Sequence, residues 1–234
     1  MQIEGRQQLE GQVVAITGAF GALGSAVVLT ALAEGAQVAA IDRAPAPRTP
    51  LEGAALFGDV DLSGDAGARA AVDAIIARFG RLDALVNIAG GFRWEPLADG
   101  SLDTWNSLYE LNLRTAVAAC RAALPHLPSG RGRIVNIGAA GAQKAGAGMG
   151  AYAASKAGVA RLTEALAEEL KDRGITVNAV LPSIIDTPAN RADMPKADFT
   201  RWVQPEQLAD VIVFLLSARA QAITGALLPV TGRV

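Results

Sequence analysis

Short runs of apolar, mostly β-branched residues alternate with longer helical patterns along almost the whole chain. The runs are apolar throughout, so each is predicted to be a strand buried on both faces. Strands of this kind are typical of a parallel sheet that helices cover on both sides. The predicted strands cover residues 13–17, 37–42, 55–57, 84–87, 133–137, 176–181 and 227–230.

Helical patterns fill the intervals between these strands. They lie near residues 22–34, 64–79, 101–124, 151–172 and 205–217. Strict alternation of strand and helix is typical of a doubly wound α/β fold of the Rossmann type. A length of 234 residues suits one α/β unit, and neither an internal repeat nor a shift in composition suggests another. We therefore predict a single domain over residues 1–234, with a parallel seven-stranded sheet and helices on both faces.

Charge and hydropathy exclude several classes of partner. The 21 basic and 23 acidic residues are interspersed and give a net charge of −2, which offers no basic surface for nucleic acid or anionic membrane. The first residues, MQIEGRQQLEGQ, are too polar for a signal peptide, and apolar runs such as VIVFLL are too short to cross a bilayer. The single cysteine, Cys120, is expected to be buried, and the single histidine, His126, cannot make a metal site. We expect a cytoplasmic protein that acts on a small molecule without a metal.

A glycine-rich turn follows the first predicted strand in the sequence VVAITGAFGALGSAV. Its glycines would let a ligand approach the backbone, and the free amides at the start of the next helix favour a pyrophosphate. Small residues also suit a tight strand–helix turn without a ligand, which is the alternative. The predicted dinucleotide contacts in this turn are Gly18, Phe20, Gly21, Ala22, Leu23 and Gly24.

Acidic residues follow the second and third predicted strands. Asp42, 24 residues after Gly18, is placed to accept hydrogen bonds from an adenosine ribose and to repel a 2′-phosphate, which favours NAD. The neighbouring Arg43 leaves NADP as the less favoured cofactor, and a solvated acid at a strand end is the other interpretation. In FGDVDLS, Asp59 and Val60 are candidate contacts for adenine, although Asp59 also fits an ordinary turn.

Several motifs together resemble the short-chain dehydrogenase/reductase family. They are TGAFGALG, NIAGG at residues 87–91, Asn112 within ELNLRT, and YAASK at residues 152–156. Their order and separations match those of the family over nearly the whole chain. The resemblance implies a seven-stranded Rossmann-type fold, a nicotinamide cofactor and a homodimer or homotetramer.

The resemblance also assigns roles to residues after the fourth strand. Asn87, Ala89 and Gly90 would line the adenosine side and support the central strand. One position departs from the family, because Ala22 stands where the turn usually has its middle glycine. Gly21 beside it is expected to relax the turn, so that cofactor binding is retained.

Tyr152 and Lys156 are spaced to share one face of a helix. An ammonium within about 4–6 Å of a phenol lowers the phenol pKa from about 10. Tyr152 is therefore predicted to exchange a proton with the substrate while hydride moves to or from the cofactor. Lys156 would also hold the nicotinamide ribose, and by the resemblance Asn112 would brace a water that links Lys156 to solvent. An amphipathic helix with a surface lysine is the alternative, which the accompanying motifs disfavour.

A hydroxyl group is missing from the predicted site. The family usually carries a serine thirteen residues before the tyrosine to polarise the substrate carbonyl, and this chain has Ala139 there, between Gly138 and Ala140. Loss of one such donor typically costs about 10²–10³ in rate. Either the protein is a weakened enzyme or cofactor-binding relic, or its substrate accepts hydride with little polarisation.

The segment PSIIDTPANRADMPKADFTRW favours an unusual substrate. It belongs to a predicted substrate loop at residues 182–204 and resembles the loop of quinonoid dihydropteridine reductase, a branch of the family that also lacks the serine. Pro182, Ile185 and Thr187 are predicted to contact the cofactor, with Thr187 at the nicotinamide carboxamide.

Three functions follow from these observations. The first is NAD-dependent reduction of a conjugated acceptor such as quinonoid dihydropterin. The alternatives are an alcohol, ketone or 3-ketoacyl oxidoreductase that works without the serine, and an NAD-binding homologue without turnover. Phe92, Trp94 and Trp202 are candidates for an aromatic wall against a flat substrate, and packing in the core or the loop is an equal alternative for them.

Overall fold

Residues 7–234 are described by a computed structural model, in which the apolar runs form one seven-stranded parallel sheet. The strands are β1 (Val13–Thr17), β2 (Gln37–Ile41), β3 (Ala55–Phe57), β4 (Ala84–Asn87), β5 (Arg133–Ile137), β6 (Thr176–Pro182) and β7 (Leu227–Val230). Their order in the sheet is β3-β2-β1-β4-β5-β6-β7. The predicted doubly wound sheet is therefore confirmed.

Helices cover both faces of this sheet. They are α1 (Ala22–Ala33), α2 (Asp65–Phe79), α3 (Leu102–Tyr109), α4 (Thr115–Ala123), α5 (Gly150–Leu170), α6 (Pro188–Asp193) and α7 (Pro205–Leu216). Short 3₁₀ turns lie at Ala140–Ala142, Lys171–Arg173, Phe199–Arg201 and Ala218–Ala220. Within residues 7–234, none of the helices is both long and apolar enough to cross a membrane.

Two helical regions differ from the sequence prediction. The single helix predicted over residues 101–124 is divided into α3 and α4 by a π turn, Glu110–Arg114, and such wider turns often occur at functional sites. The predicted substrate loop contains α6, which starts where Thr187 Oγ1 accepts a hydrogen bond from the Asn190 N–H at 3.2 Å. The π turn and α6 are each only one to two helical turns long, so the hydrophobic periodicity of the sequence, which is read over longer windows, does not reveal them.

Two apolar layers sandwich the sheet, and strand side chains alternate between them. On β1, Val14 and Ile16 pack into the layer that contains α1 and α7. Val13 and Ala15 pack into the opposite layer with α2, α4 and α5. Because both faces are buried, every position of this strand is apolar up to its last residue, Thr17.

The strand order reverses between β1 and β4, and this reversal positions the candidate site. Thr17 and Asn87, the last residues of these two strands, are register partners. In open parallel sheets ligands bind in the crevice at such a point, outside the carboxyl ends of the strands. Thr17 Oγ1 accepts hydrogen bonds from the N–H groups of Ile88 and Ala89 at 3.1 and 3.2 Å, which fixes the loop after β4 beside the end of β1.

Candidate active site

The turn between β1 and α1 requires glycine at two positions, because a side chain there would collide with neighbouring backbone atoms. Gly18 has a φ of +63°, and a Cβ on it would lie 2.7 Å from the Ala89 nitrogen. A Cβ on Gly24 would lie 2.1 Å from the Gly18 carbonyl oxygen. Gly21 and Ala22 are instead exposed, so the turn accommodates the methyl group of Ala22. The first-turn amides of α1 therefore lie at the open side of a tightly packed turn.

Asp42 lies directly after β2, with its carboxylate against the glycine-rich turn. Oδ2 accepts a hydrogen bond from the Phe20 N–H at 3.0 Å, and Oδ1 accepts one from the Ala44 N–H at 2.9 Å. The Asp42 carbonyl accepts from the Val60 N–H at 3.0 Å, so the loop after β3 is close by. The structure thus brings together the predicted ribose contact and one predicted adenine contact, whereas the side chain of the neighbouring Arg43 is exposed.

Asp59 is the one residue besides glycine with a positive φ, +56°, in the part of the chain that the structure describes. This left-handed conformation is disfavoured for a side chain and often occurs at functional sites. Phe57, Gly58, Asp59 and Val60 line a cavity of about 460 Å³ beside α2. A cavity of this size can accept a small ligand group.

Lys156 is buried on α5, one turn after Tyr152. Only 6% of Lys156 is exposed, and its Nζ donates a hydrogen bond to the Ile137 carbonyl oxygen at 2.7 Å. A Cβ on Gly90 would lie 3.3 Å from this Nζ, so the loop after β4 also reaches the lysine. Burial lowers the pKa of Lys156 to about 8. The ammonium is therefore held between the ends of β4 and β5, at the crevice.

The phenol of Tyr152 titrates in the direction opposite to the prediction. Burial raises the pKa of Tyr152 to about 12, because desolvation disfavours the phenolate. In the protein itself burial outweighs the lowering predicted from Lys156, so the net shift of the Tyr152 pKa is upward. A phenol with this pKa is protonated at neutral pH and is suited to donate a proton.

Asn112 lies on the π turn and connects two parts of the site. Its Oδ1 accepts from the Gly91 N–H at 2.8 Å, and its Nδ2 donates to the Gly91 carbonyl at 3.0 Å and to Ser155 Oγ at 2.9 Å. Ser155 in turn donates to the Tyr152 carbonyl at 2.7 Å. Asn112 therefore fastens the loop after β4 to α5, a role that sequence reasoning missed. Its contact with a water near Lys156 stays a prediction.

Ala139 lies just beyond β5 and is 6% exposed. Its methyl group offers no hydrogen-bond donor to a substrate oxygen. Ser155 does not replace the missing hydroxyl, since its proton is donated to the Tyr152 carbonyl. The candidate site therefore has no side-chain hydroxyl at the position where the resemblance predicts one.

Asn87 supports the sheet from within. Its Nδ2 donates to Asn136 Oδ1 at 2.8 Å and to Cys120 Sγ at 3.3 Å, and Asn136 Nδ2 donates to Thr163 Oγ1 at 2.9 Å. Cys120 is buried as predicted, and burial raises the pKa of its thiol to about 12. Asn87 thus links β4 to β5 and to α4, whereas contact of Asn87 with adenosine stays a prediction.

Backbone and side-chain hydrogen bonds join the two ends of the predicted substrate loop. The Asp186 N–H donates to the Val203 carbonyl at 2.8 Å, and the Val203 N–H donates to the Ile184 carbonyl at 3.1 Å. The Asp186 carboxylate accepts from Arg191 Nε and Nη2 at 2.5 and 2.7 Å and from Gln204 Nε2 at 2.9 Å. This bidentate pair has the geometry of a strong charge-assisted contact.

Trp202 lies inside the loop and not on an open wall. It is 5% exposed and its ring centroid lies 4.8 Å from that of Phe199. The Arg191 guanidinium also lies 4.8 Å from the Phe199 ring centroid. Of the three aromatic residues considered for a wall, Trp202 is therefore accounted for by packing.

Replacing Asp186 with asparagine is expected to loosen the substrate loop and leave the sheet intact. Hydrogen bonds from Arg191 and Gln204 lower the pKa of Asp186 to about 2. A lowered carboxyl pKa stabilises the fold above the ordinary value of about 3.9, and that stabilisation is lost as the pH falls through about 2. Hydrogen exchange at neutral pH should show faster exchange in the loop of the variant.

Asp198→Asn is the matched control, since Asp198 is an exposed carboxylate of the same loop that accepts hydrogen bonds from Thr200. Equal exchange in the two variants would show that the pair of Asp186 and Arg191 does not hold the loop.

Comparison with known proteins gives related sequences over nearly the full length. Residues 12–198 match the model of the family described as short chain dehydrogenase. D-threitol dehydrogenase of Mycolicibacterium smegmatis is 35% identical over 243 residues, which cover 96% of this chain and 93% of that protein. The 3-oxoacyl-(acyl-carrier-protein) reductase FabG of Thermotoga maritima is 33% identical over 241 residues, with coverage of 96% and 98%.

A solved structure agrees with these sequence matches. The short chain dehydrogenase of Burkholderia cenocepacia in complex with NADP has a TM-score of 0.86 at 33% identity. The match covers 96% of this chain and 98% of the other. At this score the two chains share one fold.

Proposed function

The chain belongs to the short-chain dehydrogenase family of oxidoreductases, and we propose that it transfers hydride between a nicotinamide cofactor and a carbonyl or alcohol substrate. The observation that carries this proposal is the position of Tyr152, Lys156 and Asn112 around one crevice, next to the glycine-rich turn. The related proteins are named for an alcohol, D-threitol, and for a 3-oxoacyl group, which supports this substrate class.

The residues at the crevice fit a nicotinamide dinucleotide. The close packing at Gly18 and Gly24 keeps the turn tight, and the exposed start of α1 beside it presents the amides that a pyrophosphate would meet. Asp42 would accept hydrogen bonds from the adenosine ribose, and Lys156 would hold the nicotinamide ribose. Thr187 accepts from the Asn190 N–H, so its hydroxyl proton remains available for the carboxamide. Bound in its reduced form, the cofactor would supply a hydride.

Tyr152 supplies the other half of the reaction in this proposal. As the carbonyl carbon gains hydride, a hydrogen nucleus with two electrons, the phenol gives its proton to the carbonyl oxygen and a neutral alcohol forms. Lys156 lies on the same helix face, and its ammonium favours the phenolate left behind. Asn112 holds α5 and the loop after β4 at a fixed distance from each other during this step.

A conjugated acceptor such as quinonoid dihydropterin is the second candidate substrate. It is supported by Ala139, because an acceptor that needs little polarisation does not require the missing hydroxyl. The names of the related proteins favour a carbonyl or alcohol instead.

One panel of substrates tests both candidates. Oxidation of NADH and NADPH is followed with a 3-oxoacyl thioester, simple ketones and quinonoid dihydropterin. Turnover of ketones or the thioester supports the proposal, and turnover of dihydropterin alone would replace it with the second candidate. Cofactor binding without any turnover would mean a non-catalytic nucleotide-binding homologue.

NAD is proposed as the preferred cofactor. The Asp42 carboxylate at the glycine-rich turn supports this preference, because it would repel a 2′-phosphate. The Burkholderia cenocepacia structure was solved with NADP and supports the other preference.

Asp42→Asn is expected to shift the ratio of NADPH to NADH affinity toward NADPH by roughly tenfold or more, since the charge is lost at nearly constant shape. Dissociation constants from titration calorimetry measure this ratio, and Arg43→Gln should shift it the opposite way. A wild-type protein that already binds NADPH much more tightly would refute the role given to Asp42.

We also propose that the protein is a homodimer or homotetramer. Leu102, Trp105 and Tyr109 are exposed on α3, at spacings of three and four residues. These spacings place them on one face of the helix. A contiguous exposed apolar face of this kind is typical of a protein contact.

A further inference from the structure

The exposed Phe92 ring lies beside the proposed proton donor, and a second exposed aromatic ring, Trp94, lies on the same segment. The Phe92 ring centroid is 4.9 Å from that of Tyr152, with the planes at 81°, yet 54% of Phe92 is exposed. Trp94, two residues further along, is 58% exposed. Gly91, the residue before Phe92, is hydrogen-bonded to Asn112 through both its N–H and its carbonyl, which holds this segment in place. The rings are thus exposed but attached to a fixed backbone.

Trp94 is itself anchored to the segment before α5. Its Nε1–H donates to the Ala147 carbonyl at 2.9 Å, and the Glu95 N–H donates to the Gly148 carbonyl at 2.8 Å. Gly148 has a φ of +74°, and a Cβ on it would lie 2.3 Å from Trp94 Cε2. The indole therefore packs on a glycine backbone and keeps much of its surface exposed.

We propose that Phe92 and Trp94 form a specificity wall that selects planar, aromatic or conjugated substrates over saturated substrates of the same size. Aromatic groups prefer edge-to-face or offset contact with other rings. Because hydrogen bonds of Gly91, of Glu95 and of the Trp94 indole already hold this segment in place, little conformational entropy is lost when a ligand binds. The inference rests on the proposed function, since that function places the substrate next to Tyr152.

Binding of two unreactive amides tests the wall without requiring turnover. Benzamide and cyclohexanecarboxamide share a polar group and differ in ring aromaticity, and titration calorimetry gives their affinities for the protein saturated with NADH or NADPH. Benzamide is expected to bind about tenfold more tightly. Phe92→Leu and Trp94→Leu should each bring the affinity ratio close to one.

Phe79→Leu is the matched control for this experiment. Phe79 ends α2, at the edge of the sheet opposite the crevice. Its replacement by leucine should therefore leave the ratio of the two amide affinities unchanged. Trp94→Phe keeps an aromatic ring at the same position and should keep most of the preference for benzamide. It also serves as the test of this position if Trp94→Leu does not fold. Equal affinity of the two amides for the wild type, or an unchanged ratio in both Phe92→Leu and Trp94→Leu, overturns the wall.

Reduction of benzaldehyde and cyclohexanecarbaldehyde separates the wall from the proposed function. If benzamide is preferred but no carbonyl compound is reduced, the wall stands and the proposed function fails. If both aldehydes are reduced and the amides bind equally, the proposed function stands and the wall fails.

Discussion

Tyr152→Phe is expected to lower the kcat of carbonyl reduction by about 10²–10⁴-fold, the usual contribution of a positioned proton donor. The variant loses the phenol proton but keeps the ring that packs edge-to-face on Phe92 at 4.9 Å. The fold and cofactor affinity should therefore be retained. Steady-state rates with the substrate on which the wild type is most active, together with calorimetric titration of NADH, separate the two effects.

The other tyrosine of the chain provides the control. Tyr109 is exposed on α3 and is not one of the proposed site residues, so Tyr109→Phe removes the same hydroxyl and should leave the rate unchanged. Wild-type turnover by Tyr152→Phe would mean that another group donates the proton.

The pH profile adds a second measure of this mechanism. Burial lowers the pKa of Lys156 to about 8 and raises that of Tyr152 to about 12. The rate of reduction is expected to fall as the pH rises through about 8, because the neutral amine no longer favours the phenolate that proton donation leaves. A rate that rises through this range would contradict the role of Lys156.

Ala139→Ser is expected to raise kcat/KM for simple ketones, by up to about 10²–10³-fold if the new hydroxyl points at the substrate oxygen. Ala139 lies just after β5, and serine adds only one oxygen atom there. Reduction of a conjugated acceptor should change little, since that reaction needs less polarisation. Rates with a ketone and with quinonoid dihydropterin, measured on the same preparation, test both expectations.

Ala140→Ser controls for the added hydroxyl, because Ala140 is the next residue and begins a 3₁₀ turn. If both serine variants raise ketone reduction equally, the effect is not specific to position 139. A collapse of dihydropterin reduction in Ala139→Ser, with NADH affinity intact, would refute a site that works without the serine.

Local patterns were sufficient to predict the sheet and part of the site. Strand limits differ from the prediction by one residue at most, because buried parallel strands must be apolar on both faces. The glycine turn was also predictable, since the positive φ of Gly18 and the contact of Gly24 exclude side chains. The spacing of Tyr152 and Lys156 follows from helix geometry alone.

The bonds of Asn112 were not predictable in the same way. They require a π turn and join residues 91, 112 and 155, which are distant in sequence. The ion pair between Asp186 and Arg191 was not predictable either. Arg191 lies on the short helix α6, whose start depends on the cap at Thr187. Such contacts exist only after the strands have placed their loops side by side.

The protonation of Tyr152 shows the same division. From the sequence alone, Tyr152 and Lys156 could be assigned to one helix face, and their spacing suggested a lowered phenol pKa. Burial in the folded chain instead raises the pKa of Tyr152 and leaves Lys156 bonded to Ile137. Likewise Trp202 is buried and Phe92 is exposed, although both are large aromatic residues. Spacing along the chain specifies which groups share an element, whereas desolvation and exposure depend on what packs around them in three dimensions.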